Sequence, residues 1–275
     1  IYTLQPQASL TVIDQSTGEV KAIVGGRGDK TASKTLNRAT DTTRQPGSTF
    51  KILAAYSAAL DAGGLTLASV QDDAPYTYAG ANGKSVNNYD RRYRGFTTLR
   101  EAITDSINIV TVKTLAQAGV SLGWQYVQEY GFTTVDSRDM NEALALGGIT
   151  QGVSNLELTA AYAAIANQGT YIKPKFYTKI LDHDGNVLID NTTPESHTVI
   201  KDTTAWLLTS AMEDVMTSGT GTSAYFGSSM AQAGKSGTTT SSRDALFAGY
   251  TPYYTCAVWG GYDDNAMQKG SDTNY

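Results

Sequence analysis

The stretch 233-AGKSGTTTSSRDALFAGY-250 fits two different sites, because Gly234-Lys235-Ser236 can close a phosphate-binding loop or form one wall of a serine acyl-transfer site. A phosphate loop of the form G-x-x-x-x-G-K-[ST] requires a glycine five places before Gly234. Ser229 stands there, and its Cβ would obstruct a backbone that must curl its N–H groups around an anion. Gly237 and the threonines and serines after it favour an extended strand, whereas a phosphate loop leads into a helix. The stretch therefore predicts a strand beside an acyl-transfer site.

Length, composition and charge limit the classes of protein to which the chain can belong. Its 275 residues and 40% hydrophobic content suit one domain with subdomains around a substantial core. The net charge of −5, without a basic cluster in the sequence, argues against nucleic acid as a partner. The single Cys256 excludes an internal disulfide, and the two histidines, His183 and His197, exclude most histidine-built metal sites. We therefore expect neither a metal nor another cofactor.

The order of helices and strands along the chain indicates the fold class. Apolar and polar residues alternate on both sides of a glycine-containing turn over 8–26, which predicts a β-hairpin. The apolar segment from Ser48 to Asp61, with Gly63 as a stop, predicts a buried helix. Capping boxes at Thr98 and Ser154 begin two more helices. The second half of the chain predicts a hairpin around Asp184-Gly185, a helix capped by Asp202 that stops before Ser218-Gly219, and strands over 245–250 and 254–262.

Strands at both ends of the chain enclose a mostly helical middle. This order predicts an α+β fold, with one antiparallel β-sheet flanked by helices and a mostly helical subdomain. We place the sheet subdomain at about 1–47 and 176–275 and the helical subdomain at about 48–175. The segment 71–95 is rich in Tyr, Asn, Gly and Asp, and we predict that it is a long surface excursion.

An acyl-transfer site also needs a nucleophile and a base. A Ser–His–Asp hydrolase would show G-x-S-x-G, which the sequence lacks, and neither histidine has an obvious serine partner. A lysine can act as base instead if it lies three places after the serine, on the same face of a helix. Among all serines, Ser48 alone has such a partner, Lys51, and it follows Pro46-Gly47 at the predicted helix start. Taken alone, the pair is more typical of a capping serine beside a surface lysine.

The pattern Ser-x-Asn, a third element of lysine-based acyl-transfer sites, occurs twice. Ser85-Val86-Asn87 lies in the polar excursion and is typical of an ordinary loop. Ser106-Ile107-Asn108 lies between a helix that ends near Thr104 and an apolar helix over Ile109 to Ala118. At such a corner both polar side chains can point into one cavity, although Ser106 can as well cap the second helix.

The order Ser-x-x-Lys, Ser-x-Asn, Lys-[Ser/Thr]-Gly resembles the penicillin-recognising serine acyltransferases, which are the penicillin-binding proteins and serine β-lactamases. One departure is Ser236 where many members have threonine, but either hydroxyl donates the same hydrogen bond. Another is that the chain stops at Tyr275, before the C-terminal helix that the family packs on its sheet. Longer blocks are similar to the transpeptidase domain of bifunctional, class A penicillin-binding proteins: 44-RQPGSTFK-51, 97-TTLREAITDSINIVTVKTL-115, 147-GGITQGVSNLELTAAYAAIANQGTYIKP-174, 217-TSGTGTSA-224 and 235-KSGTTTSSRDALFAGYTP-252.

The resemblance implies a serine D,D-transpeptidase whose substrate is a peptidoglycan stem peptide ending in D-Ala-D-Ala. Ser48 would form an ester with the peptide and release D-alanine, an amine on a neighbouring stem would take the acyl group, and water would give a carboxypeptidase side activity. β-Lactams would acylate the same serine. Lys51 would be the base, with its pKa lowered by burial and by Lys235, and Ser106 would relay a proton.

Further site residues follow from the same resemblance. Asn108 would hold the substrate amide, and the hydroxyls of Ser236 and Thr238 beside Lys235 would bind the terminal carboxylate. The backbone N–H groups of Ser48 and Thr238 would form the oxyanion hole. Gly237 belongs to the same substrate-binding strand, and Thr240 would line the acceptor cleft.

A class A protein also carries parts that the sequence does not contain. The chain opens at Ile1 without a methionine, so we expect it to be a piece of a longer protein. The resemblance implies an upstream glycosyltransferase domain and a single-pass anchor in the bacterial cell membrane, with this domain on the extracytoplasmic face. Its partners would be stem peptides, β-lactams and cell-wall synthesis proteins that act in cell shape.

Two other functions compete with this interpretation. A β-lactamase needs an acid to activate water, and Glu142 is the candidate, although 141-NEALALGG-148 is similar to a family helix and turn. A non-catalytic β-lactam sensor or wall-binding module would keep the serine and lysines but transfer no peptide, and the class A blocks argue against it. Outside these roles, Arg243 and Asp244 are predicted to pair structurally, and Gly219-Thr220-Gly221 to be a loop that shapes the cleft.

Overall fold

The two ends of the chain meet in one five-stranded antiparallel sheet. The computed structural model describes residues 5–30, 32–79 and 83–268. Within them, the sheet has the strand order β11-β12-β13-β1-β2, so the N-terminal hairpin pairs directly with the last strand. This arrangement confirms the predicted α+β architecture. The strands of the sheet are β1 (Gln7–Asp14), β2 (Glu19–Val24), β11 (Ala233–Thr238), β12 (Asp244–Tyr250) and β13 (Tyr254–Gly261).

Alternating residues of β1 attach the sheet to helix α5 (Asn155–Ala166). Ser9, Thr11 and Ile13 are buried on this face, and Thr11 Oγ1 donates a hydrogen bond of 2.7 Å to Oδ1 of Asn155. Ser154 caps the helix in the predicted capping box. Side chains two apart on a strand share a face, so the sequence alternation alone selects the side that α5 covers.

The segment that carries the predicted Ser-x-x-Lys motif is helical and buried, but it changes winding twice. A 3₁₀ turn over Gly47–Thr49 is followed by a π-helix over Ile52–Tyr56 and an α-helical turn, α1, over Ser57–Asp61. The helix prediction is therefore confirmed. The wide π winding begins directly after Lys51, and such windings are frequent at functional sites.

The remaining helices surround this segment. Thr98 begins its helix with the predicted capping box. The helix expected to be capped by Asp202 has Lys201 at its N-cap instead, so that prediction was wrong by one residue. The start is fixed from outside, because Asp61 Oδ1 accepts from the Lys201 N–H at 2.8 Å and from Thr204 Oγ1 at 2.7 Å. These helices are α2 (Leu99–Thr104), α3 (Asn108–Ala118), α4 (Val120–Glu129) and α6 (Asp202–Thr217).

The predicted surface excursion over 71–95 is more ordered than expected. It contains short paired strands, and Asp73, Val86 and Asn88 within it are buried. The second predicted hairpin, around Asp184-Gly185, is confirmed. Among the described residues, no helix is both long and apolar enough for a membrane span. The short strands are β3 (Val70–Asp73), β4 (Tyr76–Thr77), β5 (Ser85–Val86), β6 (Gly95–Thr98), β7 (Thr170–Ile172), β8 (Lys179–Leu181), β9 (Val187–Asp190) and β10 (Ser196–Thr198).

Candidate active site

Ser48 lies in a turn that packs against two other backbone segments. Gly47 before it has φ +54°, and a Cβ there would lie 2.9 Å from the carbonyl oxygen of Thr238. Gly147, with φ +74°, also approaches this turn, and a Cβ on it would lie 2.6 Å from the carbonyl oxygen of Gly47. Both positions require glycine, because a left-handed backbone and a close approach coincide there. The close approaches fix Ser48 beside strand β11.

Lys51 brings two of the predicted motifs together. Its side chain is fully buried, and Nζ donates to Oδ1 of Asn108 and to the carbonyl oxygen of Ser106, each at 2.6 Å, and to Ser106 Oγ at 3.1 Å. Within the described residues, no hydrogen bond joins Lys51 to Ser48, although both side chains belong to one helical segment. The lysine is therefore held by the Ser-x-Asn corner.

Lys235 approaches the same hydroxyl from the sheet. It is fully buried in β11, and its Nζ donates to Ser106 Oγ at 2.9 Å and to the carbonyl oxygen of Ser236 at 3.1 Å. Ser106 Oγ thus lies between the amines of Lys51 and Lys235. The three motifs that are far apart in sequence converge on one oxygen atom.

The backbone of Ser106 decides between its two interpretations. Ile107, not Ser106, is the N-cap residue of α3, so the capping interpretation is wrong. Ser106 has φ +56°, a left-handed conformation that is uncommon for a residue with a side chain. Such strain persists where surrounding structure over-determines it, often at functional sites. Here it turns the hydroxyl toward the two lysines.

Burial of the two amines lowers the pKa of both. Burial disfavours the charged form of Lys51, and repulsion by Lys235 adds to it, so the pKa of Lys51 falls well below its usual value. Burial lowers the pKa of Lys235 to about 7. A neutral amine, which is the form that can accept a proton, is therefore available near neutral pH.

A cleft of about 550 Å³ opens in front of these groups. Ser48, Asn108, Thr238 and Thr240 line it, whereas the side chains of Lys51 and Lys235 are fully buried and Ser106 is half-buried. The Ser48 and Asn108 side chains therefore face a cleft, while the two amines are shielded from solvent.

Strand β11 reaches the cleft at its last residue, Thr238, whereas the predicted substrate-binding residues Ser236 and Gly237 are not among the residues that line it. Ser236 Oγ lies 2.7 Å from Thr220 Oγ1, so the loop Gly219-Thr220-Gly221 adjoins the strand. A Cβ on Gly237 would lie 2.8 Å from Cγ2 of Thr49, so the strand approaches the Ser48 turn closely. Glycine at this position lets β11 pack closely against the turn that carries Ser48.

The second Ser-x-Asn segment also belongs to the site, so its interpretation as an ordinary loop was wrong. Ser85, Val86 and Asn87 line the cleft, and the carbonyl oxygen of Asn87 accepts from Nδ2 of Asn108 at 2.7 Å. Tyr78 and Lys84 line it too. Sequence reasoning missed these residues, because a polar segment without periodicity carries no signal for which of its side chains face a site.

Glu142 is the acid that the β-lactamase interpretation would require. Glu142 is buried, and its two carboxylate oxygens accept from the Tyr76 hydroxyl and the Ala79 N–H, each at 2.9 Å. These two hydrogen bonds hold the surface excursion over 71–95 against Glu142.

The predicted pair of Arg243 and Asp244 is wrong. Asp244 accepts from Trp259 Nε1 at 2.9 Å and from Thr239 Oγ1 at 3.0 Å, whereas Arg243 donates to the carbonyl oxygen of Asn265 at 2.6 Å. Asp244 begins strand β12, whereas Arg243 lies before the strand with helical backbone angles (φ −79°, ψ −40°), and the two side chains have different partners.

The amino-acid sequence is similar to those of known penicillin-binding proteins. Residues 8–273 match the family model of the penicillin binding protein transpeptidase domain. Penicillin-binding protein 1F of Bacillus subtilis is 41% identical over 263 residues, which cover 94% of this chain and 35% of that protein. Penicillin-binding protein 1A of Clostridium botulinum is 36% identical over 280 residues, which cover 97% of this chain and 33% of that protein. The chain spans about a third of the length of these curated relatives.

Solved structures share the fold. The crystal structure of penicillin-binding protein 1A from Haemophilus influenzae matches with a TM-score of 0.84 and 27% identity, over 96% of this chain and 45% of that one. The PonA1 protein from Mycobacterium tuberculosis, solved in complex with penicillin V, matches with a TM-score of 0.82 and 24% identity, over 98% of this chain and 73% of that one. These neighbours confirm the predicted fold class.

Proposed function

The chain belongs to the penicillin-binding protein transpeptidase family, and from this premise we propose that it is a serine D,D-transpeptidase with Ser48 as nucleophile. Its substrate would be a peptidoglycan stem peptide that ends in D-Ala-D-Ala. The observation that carries the proposal is the position of Ser106 Oγ between the buried amines of Lys51 and Lys235, together with the cleft that Ser48 and Asn108 line.

Acylation uses the neutral form of Lys51. Ser48 Oγ attacks the carbonyl carbon of the penultimate D-alanine, and its proton passes to the Lys51 amine. The bond to the terminal D-alanine breaks, and the leaving nitrogen takes a proton that Ser106 Oγ relays from a lysine. An amine of a second stem peptide then attacks the ester, which forms the cross-link and regenerates the Ser48 hydroxyl. Attack by water instead gives the carboxypeptidase side reaction.

The cleft offers partners for the substrate. Asn108 would hold the substrate amide, and the oxyanion would form near the backbone N–H groups of Ser48 and Thr238, where one donor contributes about 3 kcal/mol. The terminal carboxylate suits the hydroxyls of Ser236 and Thr238, with Lys235 behind them. Gly237 keeps that strand close to the nucleophile, and Thr240 lines the acceptor side of the cleft.

β-Lactams would acylate Ser48 and leave slowly. Fast release requires an acid that activates water, and both oxygens of Glu142 are already occupied by Tyr76 and Ala79. This occupation favours a transpeptidase over a β-lactamase. The full-length protein would add a glycosyltransferase domain, a single-pass membrane anchor that places this domain on the extracytoplasmic face, and contacts with cell-wall synthesis proteins.

Peptide transfer and β-lactam turnover distinguish the candidate functions. A donor peptide ending in D-Ala-D-Ala is mixed with an amine acceptor, and both D-alanine release and the transfer product are followed. We expect both products, and a single stoichiometric burst with a chromogenic cephalosporin. Ser48→Ala should abolish all three signals, whereas Ser33→Ala, in an exposed loop, should not. Steady cephalosporin hydrolysis would favour a β-lactamase, and acylation without peptide transfer would favour a sensor.

A further inference from the structure

Two buried polar side chains of the excursion, Asp73 and Asn88, have no role in the chemistry described above. Nδ2 of Asn88 donates to the two carboxylate oxygens of Asp73 at 2.8 and 3.0 Å, and to the carbonyl oxygen of Arg92 at 2.8 Å. Oδ1 of Asn88 accepts from the backbone N–H groups of Asn108 at 3.0 Å and Ile109 at 3.2 Å. The amide therefore bridges a buried carboxylate and the first turn of helix α3.

Asp73 determines which end of the Asn88 amide faces the helix. A carboxylate only accepts hydrogen bonds and the free N–H groups at a helix start only donate them, so the bridge works in one orientation. The reversed amide would set its NH₂ against two N–H groups and its oxygen against the carboxylate. Asp73 itself is compensated by the Arg94 N–H at 2.9 Å and by the Arg94 guanidinium at 3.8 Å.

Helix α3 has no cap within its own sequence. Its N-cap residue, Ile107, offers no side-chain acceptor, and the Ser106 hydroxyl before it faces the two site lysines. A side-chain oxygen that accepts from the first N–H groups is what stabilises a helix start. Asn88 supplies this oxygen from another part of the chain.

We propose that Asn88, oriented by Asp73, is a positioning residue that holds the Ser106–Asn108 turn against Lys51. The turn carries the acceptors of the Lys51 amine, among them Oδ1 of Asn108 at 2.6 Å. The same excursion also holds the Asn108 side chain, through the carbonyl oxygen of Asn87 at 2.7 Å. The inference rests on the proposed function, since the position of Asn108 affects a rate only if Lys51 and Asn108 act in acyl transfer.

Alanine variants test the bridge through the rate of acylation by a fluorescent penicillin, measured per titratable active site. Asn88→Ala is expected to slow acylation by about tenfold to a hundredfold, the effect of displacing a site group by about 1 Å. Asp73→Ala should slow it too, and the double variant should be no slower than Asn88→Ala, because Asp73 acts through Asn88. Asp72→Ala is the matched control, since Asp72 is the exposed neighbour of Asp73 and accepts from Lys113 Nζ through its backbone carbonyl oxygen, which the substitution keeps.

Two readouts separate positioning from mere stabilisation. Displacing Asn108 removes an acceptor that favours protonated Lys51, so the acid limb of the acylation pH profile should move to lower pH. Lys235, the charged group that faces Lys51, is unchanged in every variant. Hydrogen exchange of the Asn108 and Ile109 amides should accelerate. A lower melting temperature with a wild-type rate per site and an unchanged pH profile would overturn the proposal.

A milder variant and the exchange measurement keep the proposal testable if other parts fail. Asp73→Asn keeps the volume of Asp73 but can place an NH₂ group against the NH₂ group of Asn88. We therefore expect slower acylation, a shifted pH profile and faster amide exchange, each smaller than in Asn88→Ala. This variant replaces Asn88→Ala if Asn88→Ala does not fold. Absence of acylation in the wild type would refute the proposed function. Protection of the Asn108 and Ile109 amides that is unaffected by these variants would refute the bridge itself.

Discussion

Replacing Lys235 with methionine, a neutral side chain of similar length, is expected to stabilise the folded protein at pH 7 while impairing acylation. Lys235 is fully buried, and its pKa falls from 10.5 to about 7 because burial disfavours the ammonium. At about 1.4 kcal/mol per pKa unit, this burial lowers the free energy of unfolding by about 4 kcal/mol at pH 7. Methionine removes that penalty but loses two hydrogen bonds of about 1 kcal/mol each. The expected net gain is about 2 kcal/mol.

The pH dependence of this gain identifies its cause. Between about pH 7 and 10.5, Lys235 is protonated in the unfolded chain but neutral in the native protein. Because the unfolded state binds more protons there, the free energy of unfolding of the wild type rises with pH across that window. The advantage of Lys235→Met should therefore shrink by about 2 kcal/mol between pH 7 and pH 9. Urea unfolding at several pH values measures both quantities. Lys173→Met, at an exposed lysine, is the control and should change stability by less than about 0.5 kcal/mol. A variant less stable than wild type at pH 7, or a difference independent of pH, would refute the reasoning.

Other perturbations of the site have distinct expected outcomes. Lys51→Ala should slow penicillin acylation by orders of magnitude without changing the labelled residue, and Ser106→Ala should slow it strongly; stopped-flow labelling and peptide mapping check both. The acylation rate should fall as the pH drops below neutrality, because protonation of the two buried amines, whose pKa values are lowered, removes the base; a rate that rises toward acid would contradict this. Gly147→Ala should destabilise by about 1–3 kcal/mol in urea unfolding, because its Cβ would meet Gly47; Gly185→Ala, also at positive φ but in open space, should cost less.

Local sequence signals predicted the parts of this fold that depend on neighbours in sequence. The capping boxes at Thr98 and Ser154 begin helices where expected, because a helix start is satisfied by its own first turn. The Lys235 strand follows from its glycines and β-formers. The prediction that Asp202 caps a helix was wrong because the start of α6 is not satisfied by its own first turn. Asp61, which is distant in sequence, accepts hydrogen bonds from Lys201 and Thr204 there.

The site was predictable in its motifs but not in its environment. Motif spacing in the sequence singled out Lys51, Ser106 and Lys235. The fold brings these three side chains into hydrogen-bond contact. The left-handed conformation of Ser106 and the burial of Asn88 have no local signature, because both are imposed by packing between segments. Polar residues in an aperiodic segment look alike in sequence, whether they face water or a helix start.

The identity of the acylated residue tests the central claim most directly. The wild-type protein is labelled with a penicillin, digested, and the adduct is mapped by peptide mass. A single adduct on Ser48 is predicted, since Ser48 combines exposure to the cleft, a close β11 backbone and a buried lysine in the same helical segment. Ser48→Ala should remove the adduct without unfolding the protein. An adduct on Ser106 or Ser236, or unchanged labelling of Ser48→Ala, would contradict the account.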